Sequence, residues 1–195
     1  MTGSRMRVLV ATQSRDRVGG VEAYLEALLP ALASRYTVAF LSATTDVTAR
    51  GPITLPDDVA EIALDRQSND RLRHARAWQP DVVFAHGLED PVLERAVVKL
   101  APAVMVEHTY HGTCISSSKT MTRPVVRACT RALGPACLAL YLPRGCGGRN
   151  PLTMVRLYRT QTARLRTLRS VSGVVTLSAQ MAGEVIRNGV RADRV

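Results

Sequence analysis

The sequence has no G-x-G-x-x-G and no G-x-x-x-x-G-K-[ST], so the two common nucleotide-binding fingerprints are missing and a dinucleotide-dependent oxidoreductase is disfavoured. Aromatic residues make up 4% of the chain, with two Phe and one Trp, which leaves the stacking platforms of single-strand nucleic-acid binders poorly supplied. No apolar run is long enough for a signal-peptide core or a bilayer span: Met1–Arg7 leads into only a handful of apolar residues, and Ala132–Pro143 is interrupted by Gly134 and Pro135. The expected location is therefore cytoplasmic. There is no C-x-x-C, and between His108 and Gly183 there is no Asp or Glu.

That last absence sets the charge. Eleven basic residues, from Lys119 to Arg169, lie in the acid-free segment and account for the whole excess of a chain whose net charge is +10. Such a patch attracts phosphate-bearing partners: nucleic acid, anionic lipid head groups or a phosphorylated substrate. Within it, Pro151–Ser170 reads as a long basic helix. Met154, Val155, Tyr158, Leu165 and Leu168 fall loosely on one side, and Arg156, Arg159, Arg164, Arg166 and Arg169 largely on others. This suits either a solvated face or an enzyme resting peripherally on an anionic inner membrane face through residues 119–169.

With 195 residues, 46% hydrophobic and 22% charged, the chain is expected to form one globular domain. Its organising stretch is Arg7–Ser34. Val8–Ala11 reads as a strand buried on both faces, Thr12–Val18 as a polar loop, and Gly19-Gly20 as a turn. Val21, Tyr24, Leu25, Leu28, Leu29 and Leu32 then recur at helical spacing. Further strands are expected at Thr37–Ser42, Val59–Leu64, Asp81–Ala85, Ala103–Glu107 and Gly173–Ser178. Helices are expected from a Ser68 cap through Trp78, at Pro91–Leu100, at Pro151–Ser170 and at Ala179–Asn188. This alternation predicts an α/β fold, a Rossmann-like parallel sheet with helices on both faces and ligands at the carboxyl ends of its strands.

Two adjacent glycines let an anion or a sugar approach the first helical N–H groups, because no Cβ is in the way; they also simply make a tight strand-to-helix connection. Gly112–Asn150 reads as an irregular insertion carrying all four cysteines. In a reducing compartment stable disulfides are not expected. The spacings are wide, so the expectation is buried free thiols and no metal. A structural zinc on Cys114, Cys129, Cys137 and Cys146 is the alternative.

The segments RVLVATQSRDRVGGVEAYLEALLPALA (7–33), DVVFAHGL (81–88), VEHTYH (106–111) and VVTLSAQMAGEVIRNGVRADRV (174–195) resemble, in order, the N-terminal domain of family-4 glycosyltransferases of the GT-B fold. The resemblance implies two Rossmann-like domains facing a cleft, the first on the acceptor side and the second holding the nucleotide sugar. Residues 1–195 would then be a single N-terminal domain with an insertion at about 112–150, and without the C-terminal donor domain an incomplete, inactive half.

The resemblance also implies that Gly19 and Gly20 lie under the donor diphosphate and that His108 is the catalytic histidine beside the transferring sugar. His86 matches the second histidine of an H-x-H whose first is Phe84 here. His86 and Glu22 are candidate substrate-binding residues, although a histidine at a strand end and an acid at a helix start also have structural uses. An imidazole suits the place, because near neutral pH it can donate to a sugar hydroxyl or to the leaving phosphate.

The implied reaction is retaining hexosyl transfer from a nucleotide sugar to a glycan, lipid-linked or other hydroxyl acceptor. It needs no cofactor beyond the cosubstrate and no metal. The alternative from a different class is a non-catalytic basic Rossmann-like module that binds nucleic acid or an anionic membrane surface.

Overall fold

Val8–Ala11 is buried without a break, and Arg7–Thr12 forms β1, paired in parallel on both sides: with β2 (Thr37–Ser42) from Arg7↔Thr37 to Thr12↔Ser42, and with β4 (Val82–Ala85) from Val8↔Val82 to Ala11↔Ala85. β3 (Ala60–Ile62) extends the sheet beyond β2, and β5 (Ala103–Glu107) pairs with β4 through Val83↔Ala103. The order across these five strands is β3-β2-β1-β4-β5. The chain steps outward from β1 to β3 and then returns to the other side of β1, so the switch point falls between β1 and β4.

This is a computed structural model, and it describes residues 5–17, 19–44, 50–65 and 67–195. Val18, the end of the expected polar loop, lies outside them. The chain forms two compact units, residues 1–106 and 107–195.

In the first unit, α1 (Gly20–Ala33) places Leu25, Leu29 and Ala33 against Val8, Val10, Val38 and Phe40. Leu9 and Ala11, which alternate with that set, are fully buried as well, so β1 is covered on both faces as its unbroken apolar run requires. Asp90 caps α3 (Pro91–Val97) by accepting from the Val92 N–H, with Pro91 at the first helical position.

The helix expected to start at Ser68 begins later, as α2 (Arg73–Trp78). Asp65 accepts from Gln67 and Ser68, Ser68 Oγ from Asp70, and Asp70 from Leu72. These nested side-chain turns outcompete the first helical turn.

In the second unit, Gly112–Asn150 is less irregular than expected. It contains a hairpin of β6 (Thr120–Met121) and β7 (Arg127–Ala128) and a short helix, α4 (Ala136–Tyr141). Asn150 caps α5 (Pro151–Leu168), accepting from Leu152 and Thr153. β8 (Gly173–Thr176) is followed by α6 (Ala179–Arg187), which Ser178 caps through the Met181 N–H. Gly189, at φ +87°, ends α6 in the left-handed conformation expected there.

Two of the eleven basic residues are not on the surface. Lys119 is buried, with Nζ 2.6 Å from a Glu184 carboxylate oxygen and donating to the Arg131 carbonyl at 2.6 Å. Arg164 is buried on the inner face of α5 with Gln161, Leu165 and Leu168. The expectation that Arg164 shares an outward basic face is corrected accordingly. Arg156, Arg159 and Arg166 are exposed. Among the described residues no helix is long and apolar enough to cross a membrane.

Candidate functional site

The loop between β1 and α1 is held from outside itself. Arg17 N–H donates to the Gly51 carbonyl and Ile53 N–H to Arg15, at 3.1 and 2.8 Å. Arg15 pairs with Glu61, and Arg17 with Glu26, each at 2.5 Å. The Arg17 guanidinium, and after it the Thr54 N–H, hold the Glu26 carboxyl below the usual carboxylate range.

At the end of this loop Gly19 is extended, at φ −159°, and donates its N–H to Glu22 Oε2 at 2.8 Å. Glu22 is buried. It closes the reciprocal half of a capping box and sets a negative charge in the first helical turn. Glycine, turn and carboxylate are thus one unit, in which Glu22 has a turn-holding part.

Neither glycine is demanded by the chain itself. A Cβ on Gly20 would meet no atom within 4 Å, one on Gly19 only the Glu22 carboxylate at 3.8 Å, and neither backbone is left-handed. The first-turn N–H groups of a helix have no intrahelical acceptor. With glycine at its start, α1 has no Cβ at residues 19 and 20 beside these groups at the carboxyl end of β1, and Glu22 takes the Gly19 N–H.

His86 ends β4 beside this turn. Its N–H donates to the Ala11 carbonyl at 2.8 Å, and the residue is 6% exposed. The ring meets Phe84 edge-on at 4.6 Å and Tyr24 of α1 at 5.7 Å. Packing between the end of β4 and α1 is therefore its visible work, and any ligand contact is confined to a small edge.

Two residues that sequence reasoning passed over, together with Tyr24 of the helical face, hold the same corner. Gln13 Oε1 accepts from the Glu89 N–H at 2.7 Å, tying the loop after β1 to the loop after β4. Buried Glu94 accepts from the Leu88 N–H at 3.0 Å. Tyr24 covers His86. A polar loop glutamine and a helix-start glutamate carry no periodicity, so only their partners reveal them.

In the second unit the residues after β5 form a tight loop. His108 is half-buried. Thr113 and Cys114 donate back to the Tyr110 carbonyl, and the Gly112 N–H donates to Gln161 Oε1 of α5 at 2.7 Å. Gln161 Nε2 in turn donates to Ser117 Oγ at 3.0 Å. Gly112 is required here: its φ is +70°, and a Cβ would stand 2.6 Å from Leu168 Cδ1 and 3.1 Å from the Leu165 nitrogen.

His111, which follows His108 by three residues, has its pKa pushed down to about 4 by burial and then by the Arg164 charge. It is a neutral imidazole at any working pH near 7. Gln161 and Arg164, hidden in a helix that reads as merely basic, thus hold and bias this loop.

All four cysteines are free thiols and line one pocket of this unit. Burial, and then the charges of Cys129, Cys114 and Cys137, raise the Cys146 thiol above its ordinary range.

A parallel α/β sheet with helices packed on it and its strand order reversing beside β1 defines a Rossmann-like domain. The model of Glycosyltransferase Family 4 matches residues 18–195, and the chain belongs to that family. No curated protein matches it.

Proposed function

We propose that the chain is the acceptor-side domain of a retaining glycosyltransferase, moving a hexose from a nucleotide sugar to a hydroxyl acceptor on a glycan or glycolipid. The observation that carries this reading is the start of α1: in a family-4 chain, two glycines that the fold itself does not need leave the first-turn N–H groups open at the switch point. A donor diphosphate at that terminus gains N–H donors and the positive end of the helix dipole. Gly20, Val21 and Glu22 supply those backbone N–H groups, since the N–H of Gly19 is held by the Glu22 carboxylate.

In this reading His108 sits against the transferring sugar and donates to a hydroxyl or to the leaving phosphate, while the diphosphate takes the acceptor proton. His86 supports the site chiefly by packing. A second, donor-binding domain supplies the remaining cations, and the nucleotide sugar is the only cosubstrate. The exposed Arg156, Arg159 and Arg166, on one helix with Leu152 at 80% exposure, support a peripheral position on an anionic membrane that carries the acceptor.

The experiment compares residues 1–195 alone with the same residues joined to a donor-binding domain, using a panel of nucleotide sugars. Transfer by the joined protein and none by the chain alone is the expected result. Appreciable transfer by residues 1–195 alone would overturn the division of labour, and tight nucleic-acid binding without any transfer would favour a non-catalytic basic module.

A further inference from the structure

The segment Gly112–Asn150 is short of core. Its buried apolar side chains are Cys114, Ile115, Met121 and Tyr141, and its regular structure is a hairpin with two residues in each strand and a six-residue helix. These four give the segment little core of its own, and the rest of its order comes from ties to α5 and α6, such as Gly112 to Gln161 and Lys119 to Glu184. Small folds with so little core are held by disulfides or a metal, and here no disulfide is formed.

The four cysteines are widely separated in sequence yet converge. Cys114 comes from the loop after β5, Cys129 from the residue after β7, Cys137 from α4 and Cys146 from the turn that follows it, and all four line one pocket of about 20 Å³. A water-sized body needs about 10–15 Å³ on this measure. The space therefore suits a single ion and excludes an organic ligand.

The surroundings supply positive charge and a donor to sulfur, while burial raises the Cys146 thiol above its ordinary range, so a bound ion must displace that proton. The Lys119 backbone N–H donates to Cys114 Sγ at 3.4 Å, Arg131 lines the pocket, and there is no carboxylate in the sequence from His108 to Gly183. Four thiolates around a divalent zinc leave a net charge of −2, which this basic segment offsets.

Among the described residues no three His, Cys, Asp or Glu stand close enough to hold an ion as their side chains lie. One staggered step about χ1 moves a cysteine sulfur by about 3 Å. Closing a tetrahedral zinc site, with its ~2.3 Å Zn–S bonds, requires the cysteines to turn about χ1 from the positions they hold.

We infer that Cys114, Cys129, Cys137 and Cys146 form a structural tetrathiolate zinc site that closes the 112–150 segment and, through Cys114, fixes the loop carrying His108 and His111. Four Zn–S bonds form, and each S–H proton that has not already left passes to solvent. The wide spacing and the lack of a C-x-x-C argue for plain free thiols only while the chain is read linearly. The fold supplies the convergence that the spacing hides.

The test uses the full chain, reduced and freed of metal, then supplied with Zn²⁺ alone. One zinc per chain by mass spectrometry is expected, with amide-exchange protection gained across 112–150. Cys129→Ser should lose the zinc. Because that variant can also misfold, the unmodified chain is titrated with Co²⁺, where thiolate-to-cobalt absorption saturating at one equivalent is expected. No metal uptake and no such absorption would overturn the proposal. So would native disulfides among the four cysteines, or iron with labile sulfide in place of zinc.

Discussion

Gly20→Ala separates a glycine kept for the fold from one kept for a ligand. At this position a Cβ meets nothing within 4 Å and the backbone is not left-handed, so alanine fits without strain. The unfolded chain loses freedom on the same substitution, and the folded state gains about 0.4–1 kcal/mol. For a protein of this size that is a rise in Tm of roughly 1–4 °C. Helical Cα–Cβ bonds tilt toward the N-terminus, so the added methyl points to where a diphosphate would arrive. Lengthening even one N–H to phosphate contact there costs about 1.5–3 kcal/mol, or roughly tenfold or more in kcat/KM for the donor. Gly20→Val should lose more, through a bulkier block of the same space. The assays are thermal unfolding of the chain and steady-state kinetics of the chain joined to a donor-binding domain. Raised stability with unchanged donor kinetics in both variants would refute the assignment of this turn to the diphosphate.

Other outcomes follow from the second unit. With the His111 pKa at about 4 in the folded state and 6.5 when unexposed to burial, the unfolded chain binds more protons between these values. Stability from this group is therefore present above pH 6.5 and lost as pH falls toward 4, by up to ~3 kcal/mol; His111→Asn should flatten that part of a stability-versus-pH curve, and an unchanged slope would count against it. Gly112→Ala combines a left-handed backbone with a contact of 2.6 Å to Leu168, and should destabilise by about 2–5 kcal/mol in denaturant titration; a loss under about 1 kcal/mol would contradict that packing. Replacing Arg156, Arg159 and Arg166 with Gln should weaken binding to anionic vesicles roughly 10²-fold at unchanged stability, whereas Arg164→Gln, a buried site, should lower stability by about 1–3 kcal/mol. Vesicle affinity indifferent to the three exposed arginines, or nucleic acid that outcompetes the vesicles, would remove the membrane from the account.

The sheet was legible because its strands are short apolar runs with no competing pattern: Val8–Ala11, Thr37–Ser42 and Ala103–Glu107 read as strands and form β1, β2 and β5. The start of α2 was not, since Ser68 and Asp70 offer turns as readily as caps and only their partners decide. In the candidate site, adjacent glycines announced a turn, but the Glu22 carboxylate that closes it looks from sequence like any first-turn acid. Lys119 and Arg164 were read as surface charge because a count of arginines cannot foresee that Glu184, beyond the acid-free segment, reaches back to Lys119. Gln161 was invisible for the same reason: its partners, Gly112 and Ser117, are more than forty residues away.

The most direct test of sugar transfer by this fold is the turnover of His108→Ala in the enzyme completed with a donor-binding domain, measured with a nucleotide sugar and a hydroxyl acceptor. The account predicts transfer by the unmodified enzyme with the anomeric configuration retained, and a fall in kcat of about 10²-fold or more in the variant at unchanged thermal stability. Wild-type turnover by His108→Ala, or no transfer from any nucleotide sugar by the intact enzyme, would contradict it.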